Sequence, residues 1–139
     1  MMLITKEQLM QKAQAIIEIE TDGIQLCQED FENLITCKGD TKLYYDYIEA
    51  NNEDIAKERL IETISQIQNI NRCCSCIVKF SIHPKYNMTS LANIMEILHT
   101  AVLEEASVIF GTHCKDSFSK DFLGIHLFFA IESESQLFQ

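Results

Sequence analysis

The 139-residue sequence predicts an α+β fold in which helices pack on a single sheet as a two-layer sandwich. Two apolar runs near the end of the chain, residues 106–111 and 125–131, are too short for helices and rich in Val, Ile and Phe, so they read as buried strands. Upstream, stretches with an apolar stripe at helical spacing alternate with stretches of period two. In the last run Ile125, Leu127, Phe129 and Ile131 share one face, and Phe128 and Ala130 share the other. With both faces apolar, that strand belongs inside a sheet and not at a wet edge. The polar segment 112–124 between the two runs reads as a hairpin joining them.

In chain order, Thr5 and Gln8 fit a capping box that opens a helix to about residue 20, with Leu9, Ala13, Ile16 and Ile17 on its stripe. Asp22-Gly23 breaks it. After a short loop at 24–28, a second helix covers 29–36, with Phe31, Leu34 and Ile35 inward, and Lys38-Gly39-Asp40 signals a turn. Residues 42–49 alternate as a strand with Leu43, Tyr45 and Tyr47 on one face. Asn51-Asn52 caps a helix striped by Ala56, Leu60, Ile64 and Ile67. Cys76, Val78, Phe80 and Ile82 then alternate against Lys79, Ser81 and His83, a half-buried strand closed by Pro84. Asn87 caps the last helix, striped by Met88, Leu91, Ala92, Met95, Leu98 and Val102. The order is helix, short helix, then β-α-β-α-β-β, with no internal repeat and little linker-like sequence.

Composition narrows the function. Apolar and charged fractions of 47% and 23% are those of one ordinary globular domain. A formal net charge of −10 argues against nucleic acid or an anionic membrane as the main partner, since both demand a positive surface. No apolar stretch reaches the length of a membrane span, and the start is too short for a signal peptide. The six cysteines follow no regular framework, so reduced thiols and a cytoplasmic location are expected.

Cys73, Cys74 and Cys76 invite a metal reading, with His83, His99, His113, Cys114 and His126 in reserve. Only Cys73 and Cys76 have knuckle spacing, and they enter a strand that turns Cys74 and Cys76 to one side and Cys73 to the other, so apolar packing is the better account and no metal is expected. His113 and His126 could approach across the hairpin but lack a clear carboxylate as third ligand. His113 and Cys114, as strand neighbours, point to opposite faces and do not form a nucleophile pair.

The element order and several words in it resemble the C-terminal domain of FtsZ, the bacterial relative of tubulin. The segment 88–132 is the best match. In it, Val108-Ile109-Phe110-Gly111 stands where the family has an Ile-Ile-Phe-Gly strand, and 125–131 stands where it has Val-Thr-Val-Ile-Ala-Thr-Gly, without the closing glycine. The resemblance runs from about Leu9 to Ile131. It implies a four-stranded mixed sheet with two covering helices in residues 22–132, preceded at 1–21 by the end of the family's central helix and followed at 133–139 by a short polar tail.

In that family a loop of pattern Asn-x-Asp-x-x-Asp enters the nucleotide pocket of the next subunit and helps activate the water that attacks GTP. Laid over this chain, Gln25 replaces the Asn, Cys27 replaces the first Asp, and Asp30 matches. A thiol of unperturbed pKa ~8.5 is mostly neutral and cannot polarise water as a carboxylate does. Glu29 and Glu32 keep the same spacing in a shifted register; equally, Glu29, Asp30 and Glu32 suit a helix start through its dipole.

The glycines Gly23, Gly39, Gly111 and Gly124 are isolated, so the chain has no phosphate loop of its own. It reads as the second half of a longer FtsZ-like protein or as a stand-alone half. The resemblance implies a cell-division or cytoskeletal module that makes filament contacts with FtsZ-like subunits, including copies of itself. No enzyme activity or cofactor of its own is expected; GTP sits on a partner subunit and is at most weakly activated in trans. The alternative is an independent self-association or protein-binding domain of the same fold with no filament role.

Overall fold

In the computed structural model the described residues, 2–18, 23–34 and 41–132, form β1 (Met2–Ile4), α1 (Lys6–Glu18), α2 (Gln28–Leu34), β2 (Thr41–Ala50), α3 (Glu53–Gln66), β3 (Cys73–Ile82), α4 (Met88–Ala101), β4 (Ser107–Cys114) and β5 (Leu123–Glu132). The helix starts follow the sequence signals. Thr5 and Gln8 cap each other reciprocally, the Thr5 N–H donating to Gln8 Oε1 at 2.9 Å and the Gln8 N–H to Thr5 Oγ1 at 3.1 Å. Asn52 Oδ1 accepts the Ile55 N–H at 2.8 Å and Asn87 Oδ1 the Thr89 N–H at 2.9 Å, which opens α3 and α4. The expected turn at 38–40, the ends of the first two expected helices and the tail 133–139 lie outside the described residues.

The sheet has five strands in the order β1-β2-β5-β3-β4, antiparallel except for the parallel pair β3 and β4 joined through α4. This corrects the expectation in two respects. β4 and β5 are not a hairpin: β3 lies between them and pairs with both, so the runs 106–111 and 125–131 never touch through their backbones. The sheet also has a fifth strand, β1, which extends the β2 edge. Three residues carry too little alternation to be read as a strand without their partner.

Helices cover both faces, not one. α3 and α4 pack on a core containing Val78, Phe80, Ile125, Leu127, Phe129 and Ile131. α1 and α2 pack on the opposite face with Ile4, Leu9, Phe31, Leu43, Ile77, Phe128 and Ala130. Residues 2–18, read from sequence as a preceding helix, therefore share this second core. The physical reason was visible in β5: Phe128 and Ala130 are as fully buried as their odd-numbered neighbours and need their own cover. Phe31 meets Phe128 edge-to-face at 5.2 Å between ring centres, so α2 is fixed to the centre of the sheet by an aromatic pair.

β3 is likewise not half-buried. Its polar positions Lys79 and Ser81 are 5% and 8% exposed, because the strand is central and both layers cover it. A register irregularity between Cys73 and Ser75 also reverses the expected cysteine faces: Cys73 joins Cys76 in the α3/α4 core while Cys74 borders the other. Burial pushes the Cys73 thiol up to about 12 and Cys76 well above its ordinary value, so both are inert packing groups. Cys74 is disulfide-bonded, against the expectation of six reduced thiols, and Cys27, Cys73, Cys76 and Cys114 are free.

Candidate functional site

The loop 23–27 leads into α2 along the outer side of β4. Two bonds fasten it there: the Ile24 N–H donates to Thr112 Oγ1 at 2.7 Å, and the Thr112 N–H donates to the Ile24 carbonyl at 2.6 Å. The close approach requires glycines. Gly23 has φ +123°, and a Cβ there would sit 2.4 Å from Thr112 Oγ1; a Cβ on Gly111 would sit 2.7 Å from Leu26 Cγ. Leu26 is itself buried in the α1/α2 core, so the loop is packed as well as bonded.

At the end of this loop stand the residues singled out by sequence. Cys27 is exposed and precedes the first turn of α2. Its N–H donates to Asp30 Oδ2 at 2.8 Å, and its thiol donates to the same oxygen at 3.4 Å. Asp30 thus acts as the returning half of a capping box and complements the helix start. Glu32 accepts from Gln28 Nε2 at 3.1 Å, and both Glu29 and Glu32 are exposed. The structure brings Cys27 and Asp30 together. Glu32 it turns to a separate partner on the same helix.

A second polar group was not assembled by sequence reading. Across the α1/α2 face runs a row in register: Tyr47 on β2, His126 on β5, Lys79 on β3 and Gly111 on β4. The next row holds Glu49, Gly124, Ser81 and His113. The Tyr45 hydroxyl and His126 Nδ1 are hydrogen-bonded at 2.6 Å, and the Tyr47 ring lies 4.5 Å from the imidazole centre. Burial, with Lys12, Lys79 and His113 nearby, pushes His126 down to about 4, so it is neutral at pH 7. Burial also lowers Lys79, and burial together with Lys79 and Lys115 lowers His113. The Tyr47 hydroxyl donates to Glu49 Oε1 at 2.9 Å, and Lys12 sits 4.3 Å over the Tyr45 ring. His113 and His126 belong to strands separated by β3, not to a hairpin, with Lys79 and Ser81 between them. Period-two reading placed Lys79, Ser81 and His83 on one side, but only the strand order could add His126 and Tyr47 to it.

A five-stranded mixed sheet between two helical layers, with a loop and short helix ahead of its long strands, is an FtsZ-like fold. Among solved structures, the chain is similar to an FtsZ dimer from M. jannaschii, with TM-score 0.63 and 14% identity over 82% of this chain and 33% of that one. A single-residue variant of the same FtsZ gives TM-score 0.64 and 12% identity over 86% and 36% of the two chains. A GTPγS-bound protofilament of CetZ from Haloferax volcanii gives 0.50 and 12% over 78% and 35%. The chain thus spans about a third of the length of the structures it matches, and the likeness is one of fold. By sequence, no family model and no curated protein matches it.

Proposed function

We propose that this chain is a subunit-contact module of an FtsZ-like filament that associates with FtsZ-like subunits or with copies of itself, and that it is not an enzyme alone. The observation carrying the reading is the fold match, which extends to a protofilament structure, taken with the position of the loop 23–27 immediately before α2. If GTP is involved, it is bound by the partner subunit and the loop acts on it in trans. Asp30 is then a poor activator. Its Oδ2 already accepts two bonds from Cys27, and the neighbouring position that would supply a second carboxylate is a thiol. A weak activator or filament cap is the role this arrangement supports. The proposed setting is the cytoplasm of a dividing cell, and the disulfide on Cys74 is the feature that runs against such a reducing compartment.

The test is co-sedimentation of the purified chain with an assembling FtsZ, with GTP turnover followed in the same samples. Pelleting with the polymer, together with slowed or unchanged turnover, is expected; Cys27→Asp should raise turnover over the unmodified chain. Absence from the pellet and no change in turnover would sink the filament reading. An independent binding domain of this fold would be left in its place.

A further inference from the structure

Lys79 is the charged residue placed worst by ordinary rules. It lies in the central strand, is 5% exposed, and faces the α1/α2 layer between His126 and Gly111. Among the described residues, no hydrogen bond or ion pair reaches its ammonium. The acidic group nearest in register, Glu49 on the β2 row, accepts the Tyr47 hydroxyl. Its other neighbours are Ser81 along the strand and His113 and His126 on the flanking strands, and His113 Nδ1 is itself buried without a partner among the described residues. Burying an ammonium with no counter-charge is costly, so such a group either stays neutral or waits for an anion.

We propose that Lys79, Ser81, His113 and His126 form a binding site for a small oxyanion, a carboxylate or phosphate. The four residues sit at neighbouring register positions on one face of three adjacent strands: Lys79 and Ser81 on β3, His113 on β4 with a buried Nδ1 that has no partner among the described residues, and His126 on β5, whose Nδ1 is bonded to Tyr45. No carboxylate is in register with Lys79 or Ser81 on either neighbouring strand to compete. Close neighbours hold the site in shape, with the Tyr47 hydroxyl and Phe122 meeting over Gly124 and Phe118 standing edge-on to His113 at 5.7 Å. The charged and titratable groups around it are Tyr45, Tyr47 and Glu49 of β2, Lys12 of α1, and Cys114 and Lys115 at the end of β4. Burial lowers the proton affinities of Lys79, His113 and His126, and nearby cationic groups lower those of the two histidines further. Binding draws protons onto them and is stronger at pH 6 than at pH 8. This inference does not depend on a filament role.

The experiment is an NMR titration of the histidine ring and lysine side-chain signals of the whole chain. Sodium phosphate is added in one arm and sodium acetate in a second, against sodium chloride at equal ionic strength. Saturable shifts of His113, His126 and Lys79 in the phosphate or acetate arm, with the His126 pKa rising from about 4, are the expected result. The responding arm identifies the ligand class. Lys79→Met should bind about tenfold more weakly or worse while melting no lower than the unmodified chain. Shifts that grow linearly and equal those with chloride overturn the proposal, as does full binding by Lys79→Met. The titration of the unmodified chain decides the matter even if that variant does not fold.

Discussion

Replacing Thr112 by valine tests whether the loop 23–27 is latched to β4 or merely lies beside it. The side chain is 2% exposed, and valine keeps its branched shape. What is lost is Oγ1, the acceptor of the Ile24 N–H at 2.7 Å, while the Thr112 N–H still donates to the Ile24 carbonyl. Leaving a part-buried amide without its acceptor costs about 1–2 kcal/mol. With an unfolding entropy of about 2.1 cal/mol/K per residue, that corresponds for this chain to a fall in Tm of roughly 3–7 °C. The assay is thermal unfolding paired with amide hydrogen exchange. Exchange at Ile24 should quicken in Thr112→Val more than at β5 amides, because the latch is local. Thr112→Ser keeps the acceptor and should restore protection at Ile24. If Thr112→Val loses less than ~0.3 kcal/mol and exchange at Ile24 is unchanged, the hydroxyl is not holding the loop.

Phe128→Ala should cost about 3–5 kcal/mol in urea unfolding, since the ring is fully buried and packs on Phe31 at 5.2 Å and Tyr45 at 4.9 Å; a loss under ~1 kcal/mol would mean α2 is not anchored there. His126, at about 4 when folded against an ordinary 6.5, favours the unfolded state as protons are added. Its contribution is complete above pH 6.5 and is lost as pH falls toward 4, by up to ~3 kcal/mol. Urea midpoints for the unmodified chain and His126→Gln should therefore converge through that window, and parallel curves would contradict the assignment. Asn52→Ala removes the acceptor of the Ile55 N–H and should lower stability by about 1 kcal/mol with little change in urea m-value, measured by circular dichroism.

Much of the fold was legible because its signals are local. The reciprocal pair of Thr5 and Gln8, the caps Asn52 and Asn87, and the split of Ile125, Leu127, Phe129 and Ile131 from Phe128 and Ala130 all depend on residues a few positions apart. The candidate loop was half legible. The family resemblance singled out Cys27 and Asp30, but only coordinates show the carboxylate turned back onto the Cys27 N–H and thiol. The bulge at Cys73 to Ser75 reversed a face assignment that strict alternation cannot avoid making.

The sequence by itself determined the type and order of the long elements and a resemblance that the fold then matched. Periodicity and capping act within one turn or one strand, and such information survives without a partner. Tertiary structure alone decided the neighbours: β3 between β4 and β5, β1 on the β2 edge, helices on both faces, and Thr112 beneath a loop 88 residues away. It also decided the fate of Lys79. Alternation marks that residue as facing water, but α1, α2 and the loop 23–27 belong to the same face, and their cover makes a surface lysine into a buried one.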